Sequence, residues 1–97
     1  MTEKYPFEQA AQIMKVIAHP VRLNILLLLE KSELNVREIQ IGIKSKQSIT
    51  SQHLMAMANK GILDRDRRAN EVYYSIKRKE VLNILFCIKG CCERKEK

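Results

Sequence analysis

Tryptophan is absent from this chain, and its 97 residues hold only three Tyr and two Phe. So short a supply of aromatic side chains leaves a small, mostly aliphatic core, and small domains with thin cores often gain stability by pairing with a copy of themselves. No cysteine occurs before Cys87; the three present, Cys87, Cys91 and Cys92, crowd into the last eleven residues. An odd count in one cluster excludes a disulfide framework. The longest apolar run, ILLLL at 25–29, falls far short of the ~20 residues that cross a bilayer. The N-terminal MTEKYPFEQ lacks a charged head followed by an apolar core, so no signal peptide is read. The expectation is a cytoplasmic protein with no membrane partner. Repeats and low-complexity linkers are also missing, which leaves one domain over 1–97, with a cysteine-bearing basic tail from about residue 90.

What is present is basic charge. Lys and Arg number 18 against 11 Asp and Glu, a net +7. A basic balance on a small domain favours polyanionic partners, nucleic acid first. Apolar residues make up 45% of the chain, enough for a globular fold.

Hydrophobic spacing orders the chain into mainly α-helix with one small β-hairpin. FEQAAQIMKVIA, residues 7–18, sets Phe7, Ala10, Ala11, Met14 and Ile17 on one side of a helix. His19-Pro20 interrupts, and Pro20 suits the first turn of a second helix, VRLNILLLLE, apolar around most of its circumference and therefore buried. VREIQIGI at 36–43 reads as a third helix, with Asn35 as N-cap and Glu38 at the capping-box position. After KSK, Ser45 is placed to cap a fourth helix that runs to about Lys60, where Gly61 suits the residue past its end. ILDRDRR and EVYYSI, joined by RAN, form a two-stranded hairpin whose turn carries no Asn-Gly or Asp-Gly signal. KEVLNILFCIK at 79–89 is a last helix, ended by Gly90. Two helices joined by a tight turn and followed by a basic hairpin make the layout of a winged helix-turn-helix.

The fourth helix carries the chemistry. At about 100° per residue, Gln47, Ser48, Ser51, Gln52 and Met55 share an arc of roughly 140°, while Thr50, His53, Leu54 and Met57 face the other way. A solvated face usually carries Glu and Lys; this one is uncharged and built to hydrogen-bond. Gln pairs bidentately with adenine in the major groove, and Ser approaches either strand. The hairpin adds Arg65, Arg67 and Arg68, with Asn70 and Glu71 near its tip. Arginine is attracted to a narrow minor groove, and Glu71 opposes phosphate. An enzyme is not expected: Ser51 and His53 are two apart on a helix and point to different faces, and no Gly-x-Ser-x-Gly elbow exists. His53 reads as a half-buried structural residue.

Taken in order, MKVIAHPVRLNILLLLEKSELNVREI, KQSITSQHLMAMANKGIL and RRANEVYYSI resemble the ArsR/SmtB family of bacterial transcriptional repressors. The resemblance covers about residues 12–77, and its most specific parts are Ala18, Pro20 and Arg22; Gln47-Ser48 with Ser51, His53 and Leu54; Gly61; and Tyr73-Tyr74. It implies a homodimer on double-stranded DNA, each subunit a winged helix-turn-helix dimerising through its first and last helices. Those helices offer Phe7, Ala10, Met14 and Ile17, and Val81, Leu82, Leu85 and Ile88. The family's DNA-reading positions fall on Gln47, Ser48, Ser51 and Gln52, with Lys46, Arg67, Arg68 and Asn70 beside them. Met55 stands where a basic residue is common, which removes a phosphate contact; Lys44, Lys46 and Lys60 are the compensating charges at hand.

The resemblance also implies an effector, and here the chain departs from the pattern. One family metal site uses cysteines where ELNVRE has Asn35 and Arg37, and arginine binds no cation. A second uses Asp, His and Glu on the last helix, which here holds no His. No metal and no cofactor are expected, and the small-molecule or redox effector stays unassigned. Cys87, Cys91 and Cys92 are the candidates for a thiol or soft-metal switch, since thiolates oxidise and bind soft metals and Lys89, Arg94 and Lys95 stand beside Cys91 and Cys92; the alternative for Cys87 is a place in the core. Two functions from different classes remain: a sequence-specific DNA-binding regulator acting as a dimeric repressor, and a winged-helix protein-interaction module without specific DNA binding.

Overall fold

The computed structural model describes residues 7–93. Five helices and a three-stranded sheet follow in the order α1 (Phe7–Ile17), α2 (Pro20–Leu29), β1 (Leu34–Asn35), α3 (Val36–Ile43), α4 (Gln47–Asn59), β2 (Leu63–Arg68), β3 (Glu71–Ile76) and α5 (Glu80–Glu93). Among these residues no single helix is long and apolar enough to cross a membrane.

The helix boundaries have local causes. His19 is extended, with its Nδ1 accepting the Val21 N–H at 3.1 Å, and Pro20 opens α2 with φ already helical. The break turns α2 by 96° from α1. At α3 the capping box is complete: Asn35 Oδ1 accepts the Glu38 N–H at 2.8 Å, and Glu38 Oε1 accepts the Asn35 N–H at 2.9 Å. α3 ends on Lys44 in the left-handed region at φ 55°. Gly42 sits two residues too early for that role and serves packing instead, since a Cβ on it would lie 2.6 Å from Leu28 Cδ1. The helix-turn-helix corner is therefore Lys44 to Lys46. Ser45, expected to cap α4, does not: the N-cap is Lys46, without a side-chain hydrogen bond. Gly61 takes φ 77° just past α4, as its position in the sequence predicts.

The sheet has one more strand than the two-stranded hairpin read from the sequence. β1, two residues long, pairs with β3 through Leu34↔Tyr74 and Asn35↔Tyr73, giving the order β1-β3-β2. Two residues carry no period, so β1 left no signal. The wing itself is antiparallel from Leu63↔Ile76 to Arg68↔Glu71. Its turn is Ala69-Asn70, with Ala69 at φ 54°, a conformation that glycine usually supplies.

Ile25, Leu26, Ile39, Leu54, Met57, Ile62 and Val81 are fully buried at the centre of one aliphatic core, each contributing on the order of 1.5–3 kcal/mol by burial. Thr50 is buried with them and donates to the Lys46 carbonyl at 2.8 Å. α5 does not stop at Gly90 but continues to Glu93, so Cys91 and Cys92 lie on a helix rather than on a tail. Residues 94–97, the rest of the expected tail, lie outside the described residues.

α1 packs on α4 and α5 packs on α2, and both leave apolar side chains outside. Phe7 is 70% exposed, Met14 52%, Phe86 43% and Ile88 44%. Ala10 is exposed and Leu82 half-buried. Ile17, Val81 and Leu85, placed by the sequence on an outward stripe, belong instead to the protomer's own core. The periodicity was right for a helix, but it cannot tell a face covered by the same chain from one left open. The Cα radius of gyration, 14.7 Å, exceeds the about 12.5 Å of a compact chain of this length.

Candidate nucleic-acid interface

α4 turns Thr50, Leu54 and Met57 into the core. Gln47, Ser48, Gln52 and Met55 are exposed on its other side, and Ser51 is half-buried at the edge of that face. The division between a packing side and a hydrogen-bonding side is the one the helical wheel predicts. Lys46 is exposed at the head of α4.

His53 is half-buried against α2. Its Nδ1 accepts Arg22 Nε at 2.9 Å, and Arg22 also donates to the Val16 carbonyl at 2.8 Å. The His19 and His53 rings lie 4.4 Å apart. Burial first, then the charges of His19 and Arg22, hold the His53 pKa below its ordinary value. Arg22 thus ties α1, α2 and α4 together, and His53 works in the scaffold that aims α4.

The wing sorts its arginines by strand alternation. Leu63, Arg65 and Arg67 lie on one face of β2, opposite Ile76, Tyr74 and Val72. Leu63, Tyr74 and Ile76 are buried, so this is the face turned toward the core and α4. Asp66 and Arg68 lie on the other face. There Arg68 is taken up within the protein. It forks onto Glu33 at 2.7 and 2.9 Å, its Nε reaches Asp66 at 2.9 Å, and its guanidinium sits 4.6 Å above the Tyr73 ring. Glu33 first and Asp66 second push its pKa further up. Of the three wing arginines, Arg68 is therefore a brace across the sheet, whereas Arg65 and Arg67 have no acidic partner among the described residues. Glu71, which opposes phosphate in the sequence reading, accepts Asn35 Nδ2 at 2.6 Å and so has a structural role.

Gln47 and Asn70 come together. They line one open groove of about 520 Å³ between the wing tip and the starts of α3 and α4, with Arg37 and Gln40 on its α3 wall. Nothing in the sequence marks Gln40 for this groove, and Arg37 stands out there only as a residue at a family cysteine position, because a position on the rim of a groove has no period of its own. Among the described residues no cluster of His, Cys, Asp and Glu is arranged to hold a metal ion. Cys87, Cys91 and Cys92 are exposed and unbridged on α5, at the opposite end of the chain order from α1.

A helix that packs by one side and shows amides and hydroxyls on the other, set behind a tight turn and flanked by a basic hairpin, defines a DNA-binding transcriptional regulator of the winged helix-turn-helix class. Comparison with known proteins gives the family. The model for bacterial regulatory proteins of the arsR family matches residues 19–65. The transcriptional repressor PagR of Bacillus anthracis is 42% identical over 84 residues, which is 86% of this chain and 84% of PagR. Its crystal structure matches with a TM-score of 0.75 over 84% of this chain and 94% of that one. HlyU from Vibrio cholerae matches with a TM-score of 0.82 at 27% identity, over 92% of this chain and 97% of that one. The homodimeric winged helix-turn-helix DNA-binding domain Mb0332 from Mycobacterium bovis shares the fold, with a TM-score of 0.78 at 22% identity, over 100% and 94% of the two chains. The chain belongs to the arsR family of bacterial regulatory proteins.

Proposed function

We propose that this chain is a homodimeric repressor that reads double-stranded DNA with the first turns of α4, inserted in the major groove, while the wing lies against the neighbouring backbone. The observation that carries the reading is the exposed, uncharged face of Gln47, Ser48 and Gln52 at the head of a helix whose other side is locked into the core. Gln47 and Gln52 supply bidentate amides and Ser48 and Ser51 short hydroxyls. Lys46, Arg67 and Asn70 flank that face and suit phosphate and sugar. The repressor assignment draws on PagR. The dimer draws on Met14, Phe86 and Ile88, which are large and exposed on α1 and α5, on the extended radius of gyration, and on the named homodimer that shares the fold.

The test is fluorescence anisotropy on a duplex from upstream of the protein's own gene and on a scrambled duplex. Selective binding that falls steeply with salt supports the reading. Gln52→Ala is expected to lose about 1–3 kcal/mol on the selected duplex and little on the scrambled one. Equal, weak binding to both would favour a protein-interaction module.

A further inference from the structure

Met55 is 40% exposed on the DNA side of α4 and carries no charge. Beside it the structure places a cation from the wing. The Tyr74 hydroxyl donates to Met55 Sδ at 3.5 Å and accepts Arg65 Nε at 3.2 Å. Tyr74 is 3% exposed, so its hydroxyl is a fixed anchor. Arg65 is paired across the strands with Tyr74 and lies on the wing face turned to α4, whereas Asp64 and Asp66 alternate to the other face. Nε accounts for one of the five N–H donors of a guanidinium. The terminal nitrogens of Arg65 have no partner among the described residues, unlike those of Arg68.

We propose that Arg65 is a phosphate-binding residue of the DNA face, held against α4 by Tyr74, and that it supplies the charge Met55 does not. This rests on the DNA-binding reading above. Met55 lies eight residues, about 12 Å of helix, beyond Gln47. A helix that presents its first turns to base edges brings its later turns and the adjacent wing strand to the groove wall, where the backbone runs. An arginine held by one nitrogen, with its outer fork open, is preorganised for a phosphate and gives up little freedom on contact. Tyr74 acts through Arg65 and is a positioning residue.

The experiment compares wild type with Arg65→Gln, Arg65→Lys, Arg65→Gln/Met55→Lys and Tyr74→Phe on both duplexes, between about 50 and about 200 mM salt. Arg65→Gln is expected to weaken both duplexes by the same factor. It should also flatten the slope of log affinity against log salt by about 0.9 per subunit, so about 1.8 for a dimer. Arg65→Lys keeps the slope, and adding Met55→Lys to Arg65→Gln restores it. Tyr74→Phe lowers affinity with the slope unchanged, because the charge stays but is no longer held. An Arg65→Gln slope equal to wild type, or a loss confined to the selected duplex, overturns the proposal while leaving the DNA-binding reading standing. A wild-type chain without salt-dependent affinity overturns both.

Discussion

Asn35 does three jobs with one side chain and one N–H, and they can be separated. Its Oδ1 caps α3, its N–H meets Glu38, and its Nδ2 donates to Glu71 at the base of the wing tip at 2.6 Å. Asn35→Ala removes the cap and the wing link together. The cap is worth about 1 kcal/mol, and the exposed link adds about 0.5 kcal/mol. For a domain of this size that sum lowers Tm by roughly 6–12 °C at fixed protein concentration. Asn35→Asp keeps an acceptor at the helix N-terminus, where negative charge is favoured, but sets a carboxylate against Glu71. It should therefore lose stability at low salt, recover part of it at high salt, and recover most of it in Asn35→Asp/Glu71→Gln, which returns a donor to the pair. Thermal melts followed by circular dichroism read all of these. If Asn35→Asp melts with wild type at low salt, or the double variant is no better than the single, the wing is not tied to α3 through this contact.

Further outcomes follow from other contacts. His53 has its pKa depressed by burial and by His19 and Arg22, so the unfolded chain binds more protons between the folded and unfolded values. Its contribution to stability is full above about pH 6.5 and is lost as pH falls through the folded pKa. Melts of wild type should therefore drop more steeply below that pH than melts of His53→Gln; parallel curves would refute this. Phe86→Glu, at an exposed position, should shift sedimentation toward monomer with helix content retained, whereas Val81→Ala, fully buried in the protomer, should lower Tm; a Phe86→Glu chain that sediments like wild type counts against dimerisation through α5. Cys87 and Cys91 stand one turn apart, where Cβ atoms are about 5–6 Å from each other, too far for an unstrained disulfide. A thiol switch built from Cys87, Cys91 and Cys92 would thus join two copies of the chain or carry a small adduct. Mild oxidation is expected to weaken DNA binding and the triple Cys→Ser variant to lose that response; an identical response in the triple variant removes the thiols from the mechanism.

The fold was legible wherever local chemistry decides it. The Asn35/Glu38 box, Pro20 at a helix start and Gly61 past a helix end each act within a few residues of themselves, and each appears where the sequence puts it. What stayed hidden depends on distant partners. β1 is a strand because Tyr73 and Tyr74 lie beside Leu34 and Asn35. Gly90 continues a helix because nothing local forces it to end one. Three of the eight positions on the outward stripe of α1 and α5, Ile17, Val81 and Leu85, find cover in the protomer instead.

The same distinction governs the DNA face. On α4 a period of 3.6 separates the exposed hydrogen-bonding residues from core residues, and the chain alone suffices to see it. On the wing three arginines within four positions look equivalent until the period of two is applied from Leu63 outward. That step puts Arg65 and Arg67 toward α4 and Arg68 away from it. The sequence contains the alternation. It does not contain Glu33, just ahead of β1, reaching Arg68, nor Tyr74 joining Arg65 to Met55. Net charge therefore overstates what this face offers to DNA, and composition alone misplaces it. On the proposed reading, specificity falls to the uncharged head of α4, and the cations that would serve it are those whose strand position leaves them without an acidic partner among the described residues.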